Sequence, residues 1–195
     1  MESVERGLRD RLVDTGVALV AESGGPAVTL REIARRAGVS HGAPRRYFPT
    51  HLELLSAIAK RGFADLGAMI EAVSQDGGTD PRTRLLALSR AYLDFASTRR
   101  GMYELMFRHD LLESGRLGLR ESSLPLFATL VDLVARARPP SATAPAVTAG
   151  ALWANLHGIA QLSAWGSLRL ATGVDSVEPL LRAALDAHLG PAGRS

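Results

Sequence analysis

TLREIARRAGVSHGAPRRYF, residues Thr29 to Phe48, spells two short helices joined by a glycine turn. Thr29 and Glu32 have capping-box spacing: the Thr29 hydroxyl can accept the Glu32 amide while the Glu32 carboxylate reaches back to the Thr29 amide. Ile33, Ala34 and Ala37 then form a narrow apolar face at helical spacing. Gly38 falls where a helix needs a left-handed residue just past its end, and Val39 can follow it into the core. Ser40 suits the N-cap of a second helix running to Tyr47 and Phe48. This unit reads as a helix-turn-helix, which lays its short second helix in the DNA major groove.

Outward from that stretch, helical signals recur and no strand is convincing. The first helix, near Val4–Glu22, places Leu8, Leu12, Val13, Val17, Val20 and Ala21 on one face before the Ser23-Gly24-Gly25-Pro26 stop. Thr50 and Glu53 make a second capping box, opening a long helix to about Ser74. Gln75 to Pro81 is a break, with Asp80 as cap and Pro81 at the first helical position. Further helices are expected near 81–98, 101–107, 116–137, 145–168 and 176–189, with Pro139, Pro140 and Pro145 as interruptions and Gly173 before the last. The expectation is an all-α protein of about nine helices. Its head (residues 1–50) would be followed by a helical body (51–195), bridged by the fourth helix.

Composition fits that picture. Of 195 residues, 46% are hydrophobic and 22% charged, as in ordinary soluble domains, and no cysteine is present for disulfides or thiolate sites. Residues 1–62 hold 10 Lys and Arg against 7 Asp and Glu, while 63–195 hold 13 against 13. The whole formal excess of +3 therefore sits on the part containing the helix-turn-helix, as a DNA-binding head on a neutral body requires. The start, MESVERGLRD, has acids and lacks the apolar run of a signal peptide, so a cytoplasmic location is expected.

Residues 29–48, within a block from about Leu8 to Ala59, resemble the DNA-binding domain of TetR-type transcriptional regulators. The carrying residues include Thr29, Arg31, Ile33, Ala34, Ala37, Gly38, Val39, Ser40, Gly42, Tyr47, Phe48, Leu54 and Leu55. LWANLHG, with Trp153, His157 and Gly158, is similar to the Trp–His–Gly signature of one group of TetR-family C-terminal domains. Gly42–Pro44 (GAP) and Gly101–Phe107 (GMYELMF) look like the same group.

The resemblance implies a homodimer on a pseudo-palindromic operator in double-stranded DNA. It implies a repressor released when a small, largely apolar effector favours a state with the fourth helix swung. DNA contacts are expected from Thr29, Arg31, Ser40, His41, Gly42, Arg45, Arg46, Tyr47 and His51. An arginine fork can pair with guanine O6 and N7 or grip phosphate. Arg45 and Arg46 lie about 100° apart, so one is expected to read a base and the other to hold the backbone. The resemblance favours Arg45 for the outward position and Tyr47 for a phosphate. Family members commonly carry an aromatic at the position of Arg45 and a lysine at that of His51, so an operator sequence does not transfer.

Trp153, His157 and Gln161 recur at i, i+4 and i+8 and share one helix face. With Tyr92, Phe95, Tyr103, Met106, Phe107 and Phe127 they form a candidate ligand wall with polar handles. The competing reading is a core histidine bonded to a neighbour. Control by a protein partner in place of a ligand leaves the same sequence.

Other chemistries fare worse. Gly38-Val39-Ser40-His41-Gly42 matches G-x-S-x-G, but a nucleophile elbow needs a strand before its serine, and a capped helix precedes this one. Residues 139–168 lack Asp, Glu, Lys and Arg, yet Asn155, His157 and Gln161 at the centre oppose a membrane span. The five histidines show no metal-ligand spacing. No cofactor, metal or catalytic constellation is expected; an enzyme built on the His157 face is the weakest alternative.

Overall fold

The computed structural model describes residues 2–25, 28–76, 80–113, 118–138 and 143–191. Eleven helices and no strand occur among the described residues: α1 (Glu2–Ser23), α2 (Leu30–Arg36), α3 (Ala43–Tyr47), α4 (His51–Asp76), α5 (Pro81–Thr98), α6 (Arg100–Met106), α7 (His109–Glu113), α8 (Leu119–Ala137), α9 (Pro145–Ala164), α10 (Ser167–Thr172) and α11 (Glu178–Leu189). The all-α expectation holds, with two helices more than expected. One is α7, a single turn after Arg108. The other arises because the expected 145–168 helix stops at Trp165, where Gly166 turns left-handed (φ 72°) and starts α10. Pro26, Gly77 to Thr79, the start of the expected 116–137 helix, Pro139 and Pro140 lie outside the described residues.

The chain forms two compact units, each discontinuous in sequence. The first comprises residues 1–65 and 99–123; the second, residues 66–98 and 124–195. In the first, α1 packs on α2, α3 and α6 around Leu12, Leu19, Ile33, Phe48, Leu54 and Ile58, all buried. Two glycines permit close helix approach. A Cβ at Gly16 would lie 2.3 Å from Ile58 Cδ1, and one at Gly101 would lie 2.6 Å from the Val20 carbonyl oxygen. In the second unit, α9 packs on α5, α10 and α11, and α5 also meets α11. Leu85, Phe95, Leu152, Leu156 and Leu181 are buried there. Arg82 donates to the Gly190 carbonyl (2.8 Å) and pairs with Asp186, tying the start of α5 to the end of α11.

Candidate functional site

The helix-turn-helix is assembled by local interactions. Thr29 Oγ1 accepts the Glu32 amide at 3.1 Å, starting α2. The return half of that capping box is replaced: the Glu32 carboxylate binds Arg35 at 2.8 and 2.6 Å and Arg36 at 2.9 Å. These guanidinium contacts hold the Glu32 carboxyl down to about 2. At its end, α2 makes both bonds of a Schellman motif: Val39 N–H to the Ala34 carbonyl and Gly38 N–H to the Arg35 carbonyl, with Gly38 at φ +67°. Arg11 of α1 donates to the Ala37 carbonyl at 2.9 Å, capping α2 from outside. Val39 is half-buried.

Ser40 does not cap α3 with its hydroxyl. The helix begins at Ala43, Gly42 occupies the cap position, and the Ser40 backbone carbonyl accepts the Ala43 amide at 3.0 Å. The turn consumes two residues more than the expected arrangement, leaving His41 and Gly42 exposed. Pro44 lies in the first turn, where its missing amide would have no partner, and its ring is buried.

Eight of the nine expected DNA-contacting residues are exposed (Thr29, Arg31, Ser40, His41, Gly42, Arg45, Arg46 and His51), and Tyr47 is half-buried. Charge distinguishes a subset. Arg35 and Arg36 are neutralised by Glu32 and Glu22. Arg31, Arg45 and Arg46 make no ion pair among the described residues. The α2–α3 surface therefore carries cations whose charge is not spent internally. His51 behaves differently: its Nε2 meets the Val28 carbonyl at 2.5 Å, so that nitrogen is the donor. A neutral ring then turns only an Nδ1 lone pair outward, and a phosphate contact requires the second proton. Sequence reading missed the Arg11 cap, because an arginine on a polar helix face resembles any solvated charge.

The second unit brings part of the expected ligand wall together. Trp153 Nε1–H donates to Tyr92 Oη at 3.3 Å, and Tyr92 Oη lies 3.0 Å from His157 Nδ1. Tyr92 Oη accepts the indole proton, and it can donate its own to Nδ1 when the imidazole carries its proton on Nε2. Burial holds the His157 imidazole below its ordinary value, favouring this neutral form. Trp153 packs edge-on to His157 (6.1 Å between centroids) and to Phe127 of α8 (6.2 Å). Phe95 is fully buried one turn along α5 from Tyr92, and Gln161 is half-buried one turn along α9 from His157. Tyr103, Met106 and Phe107 belong to the first unit. There Tyr103 and Phe107 stack at 5.0 Å, Phe107 meets Phe63 at 5.8 Å, and Met106 is wholly buried against Gly62. The nine residues thus divide six and three between the units.

Two family models match separate stretches of the chain. Residues 12–58 match the model for bacterial regulatory proteins of the tetR family. Residues 85–188 match the tetracyclin repressor-like C-terminal domain. The HTH-type transcriptional repressor KstR of Mycolicibacterium smegmatis is 36% identical over 81 residues, which cover 42% of this chain and 39% of that protein. The match thus spans about two-fifths of that relative's length. Among solved structures, a protein of unknown function from Rhodococcus sp. RHA1 superposes with a TM-score of 0.72 at 29% identity, covering 93% of each chain. The multidrug binding protein EbrR, complexed with imidazole, gives 0.60 at 26% identity, covering 96% of this chain and 97% of that one. The C-terminal match alone takes in more than half of the residues. With a helix-turn-helix ahead of it in the expected order, the chain belongs to the TetR family of bacterial regulatory proteins.

Proposed function

We propose that this chain is a DNA-binding transcriptional repressor that acts as a cytoplasmic homodimer and is released from its operator by a small, largely apolar ligand. The observation that carries the reading is the helix-turn-helix surface with Arg31, Arg45 and Arg46 exposed and unneutralised among the described residues. Residues 1–50 serve as the DNA-binding domain and 51–195 as the ligand-binding and dimerisation domain. Arg45 reads a base edge; Arg46, Arg31 and Tyr47 hold the phosphate backbone, with Thr29, Ser40, His41, Gly42 and His51 at the margin.

One recognition helix is too short to select a genomic site, whereas two related by a dyad read a pseudo-palindrome. A second copy has a surface to meet. Val147, Ala151, Ala154, Leu162 and Trp165 lie along one face of α9 and are exposed; Gly158, on the same face, would place a Cβ in open space. The exposed Ala183 and Ala187 of α11 give a second helix that a partner can approach closely. Among the described residues, no helix is long and apolar enough to cross a membrane.

The effector site is the Tyr92–Trp153–His157 cluster with Phe95, Phe127 and Gln161 beside it, all within the second unit. The neutral His157 and the Tyr92 hydroxyl supply polar handles in an aromatic setting. EbrR's description as a multidrug binding protein supports a ligand-responsive body. The ligand shifts the equilibrium only by its differential affinity for the DNA-bound and released states. The chain is read as non-enzymatic.

A mobility shift with DNA from the gene's own upstream region tests the reading. Wild type is expected to bind specifically, with affinity falling steeply as salt rises. Arg45→Ala is expected to weaken binding by roughly tenfold to a hundredfold, the size of one lost bidentate base contact of about 1–3 kcal/mol. Failure of the wild type to bind that DNA or any sequence selected from random duplexes rejects the reading.

A further inference from the structure

The first unit holds a cleft that adjoins the DNA-facing surface at Tyr47 and extends beyond it. It lies between α1, the end of α3 and α4, and its volume is about 310 Å3. Beyond Tyr47 at its α3 edge, Arg9, Phe48, Pro49, Ser56, Ala57 and Lys60 line it. Two of these carry positive charge and neither makes an ion pair among the described residues. The Arg9 guanidinium carbon sits 5.3 Å above the Phe48 ring centroid. Lys60, the only lysine of the chain, is half-buried in α4. Glu53 also borders the cleft, but its carboxylate accepts the Thr50 amide at 3.1 Å in the capping box. Two cations against one carboxylate leave the lining net positive, beside an apolar wall of Pro49 and Ala57.

Ser56 supplies an independent sign of a ligand. It is 2% exposed, and its Oγ is buried with no hydrogen-bond partner. A serine inside a helix ordinarily returns its hydroxyl to the carbonyl one turn back or finds another partner, because an unmade buried hydrogen bond is unfavourable. Here the residue with the orphan hydroxyl lines a cleft that also holds two cations and the apolar surface of Pro49 and Ala57. These are the parts of a site for an amphipathic anion: charge for the head, a donor to orient it, and an apolar surface for the body.

The geometry points to a binding site in the first unit for a small organic anion, a carboxylate or phosphate on an apolar or aromatic body. Its head lies between Arg9 and Lys60 with Ser56 donating to it, and its body rests on Pro49 and Ala57. The assignment stands whether or not the chain reads DNA. A phosphate head has two sources, a free small molecule or the backbone of bound DNA, and the free molecule is the one proposed.

The test is titration of the full-length protein with sodium benzoate, followed by amide NMR shifts. Saturable shifts are expected at Phe48, Ser56, Ala57 and Lys60, at concentrations up to about 10 mM, which fill a site of millimolar affinity. Lys60→Gln should weaken binding about tenfold, and Ser56→Ala several-fold. Ser56→Ala removes an unsatisfied hydroxyl, so its melting temperature is expected to be no lower than wild type, which separates loss of binding from loss of fold. Absence of saturable shifts at these residues in the wild type overturns the proposal. So does binding that both variants retain undiminished. A third overturning result is no benzoate binding together with weaker DNA binding by Arg9→Gln and Lys60→Gln, which would assign the cleft to a DNA phosphate.

Discussion

Gly42 sits at the start of α3 with an ordinary φ of −84°, and a Cβ placed there would meet nothing within 4 Å. Neither backbone strain nor packing inside this chain calls for glycine, unlike Gly38 with its left-handed φ of +67°. The open space leaves room for a close external surface, which the proposed groove contact supplies. Gly42→Ala is expected to change unfolding free energy by less than about 0.5 kcal/mol while weakening operator binding about tenfold or more. Equal DNA affinity in a mobility shift would remove Gly42 from the interface. His157 yields a second residue-level expectation. Burial lowers its pKa in the folded state, so the unfolded chain takes the proton first. Its contribution to stability is complete above the ordinary imidazole value near 6.5 and is lost as pH falls toward and through the folded-state value. The melting temperature of wild type should thus fall more steeply between about pH 7 and pH 5.5 than that of His157→Gln. Parallel curves would mean that His157 titrates alike in both states.

Among the elements, capping explains which local expectations held. Thr50 and Glu53 form the full reciprocal box, Thr50 N–H to Glu53 Oε2 at 3.1 Å and Glu53 N–H to Thr50 Oγ1 at 3.2 Å. Thr29 and Glu32 form only half, because Arg35 and Arg36 on the next turn outcompete a single backbone amide for the Glu32 carboxylate. Asp80 caps α5 as its spacing with Pro81 implies, accepting the Thr83 amide at 2.8 Å and hydroxyl at 2.6 Å, which lowers the Asp80 carboxyl below its ordinary range. Helix packing decides the effect of substitution at Gly101. Alanine is the better helix former by about 1 kcal/mol, yet its Cβ would lie 2.6 Å from the Val20 carbonyl oxygen, a backbone atom that cannot swing away. Gly101→Ala is therefore expected to destabilise by about 1–3 kcal/mol in urea unfolding, as overpacking does. A stabilised variant would show that α1 and α6 separate freely.

At the scale of the molecule, the question is whether α9 meets a second copy. Within one chain a Cβ at Gly158 is unopposed, so Gly158→Ala should strengthen the helix by up to about 1 kcal/mol. Across a close helix pair the same methyl pushes the helices apart. The expected outcome in sedimentation equilibrium is a dimer dissociation constant raised about tenfold, alongside a monomer at least as stable as wild type. Unchanged association would exclude this face as the dimer contact.

How much was legible in the sequence follows the range of each interaction. The all-α class, the two short helices and their glycine turn are set by contacts among residues within about six positions of one another: a cap, a Schellman pair, an apolar face. Such contacts follow from residue type and spacing, so the sequence by itself determined the helix-turn-helix and, through its resemblance, the family. The tertiary structure decided the rest. The stripe Trp153–His157–Gln161 was visible as spacing, but its partner Tyr92 is 65 positions from His157, and which side chains meet depends on how α5 and α9 cross. The same holds for Arg11 at the end of α2, 26 residues away, and for the cleft where Arg9, Ser56 and Lys60 converge. Spacing along one helix says which residues share a face; only packing, set by side-chain volumes over the whole chain, says what that face meets.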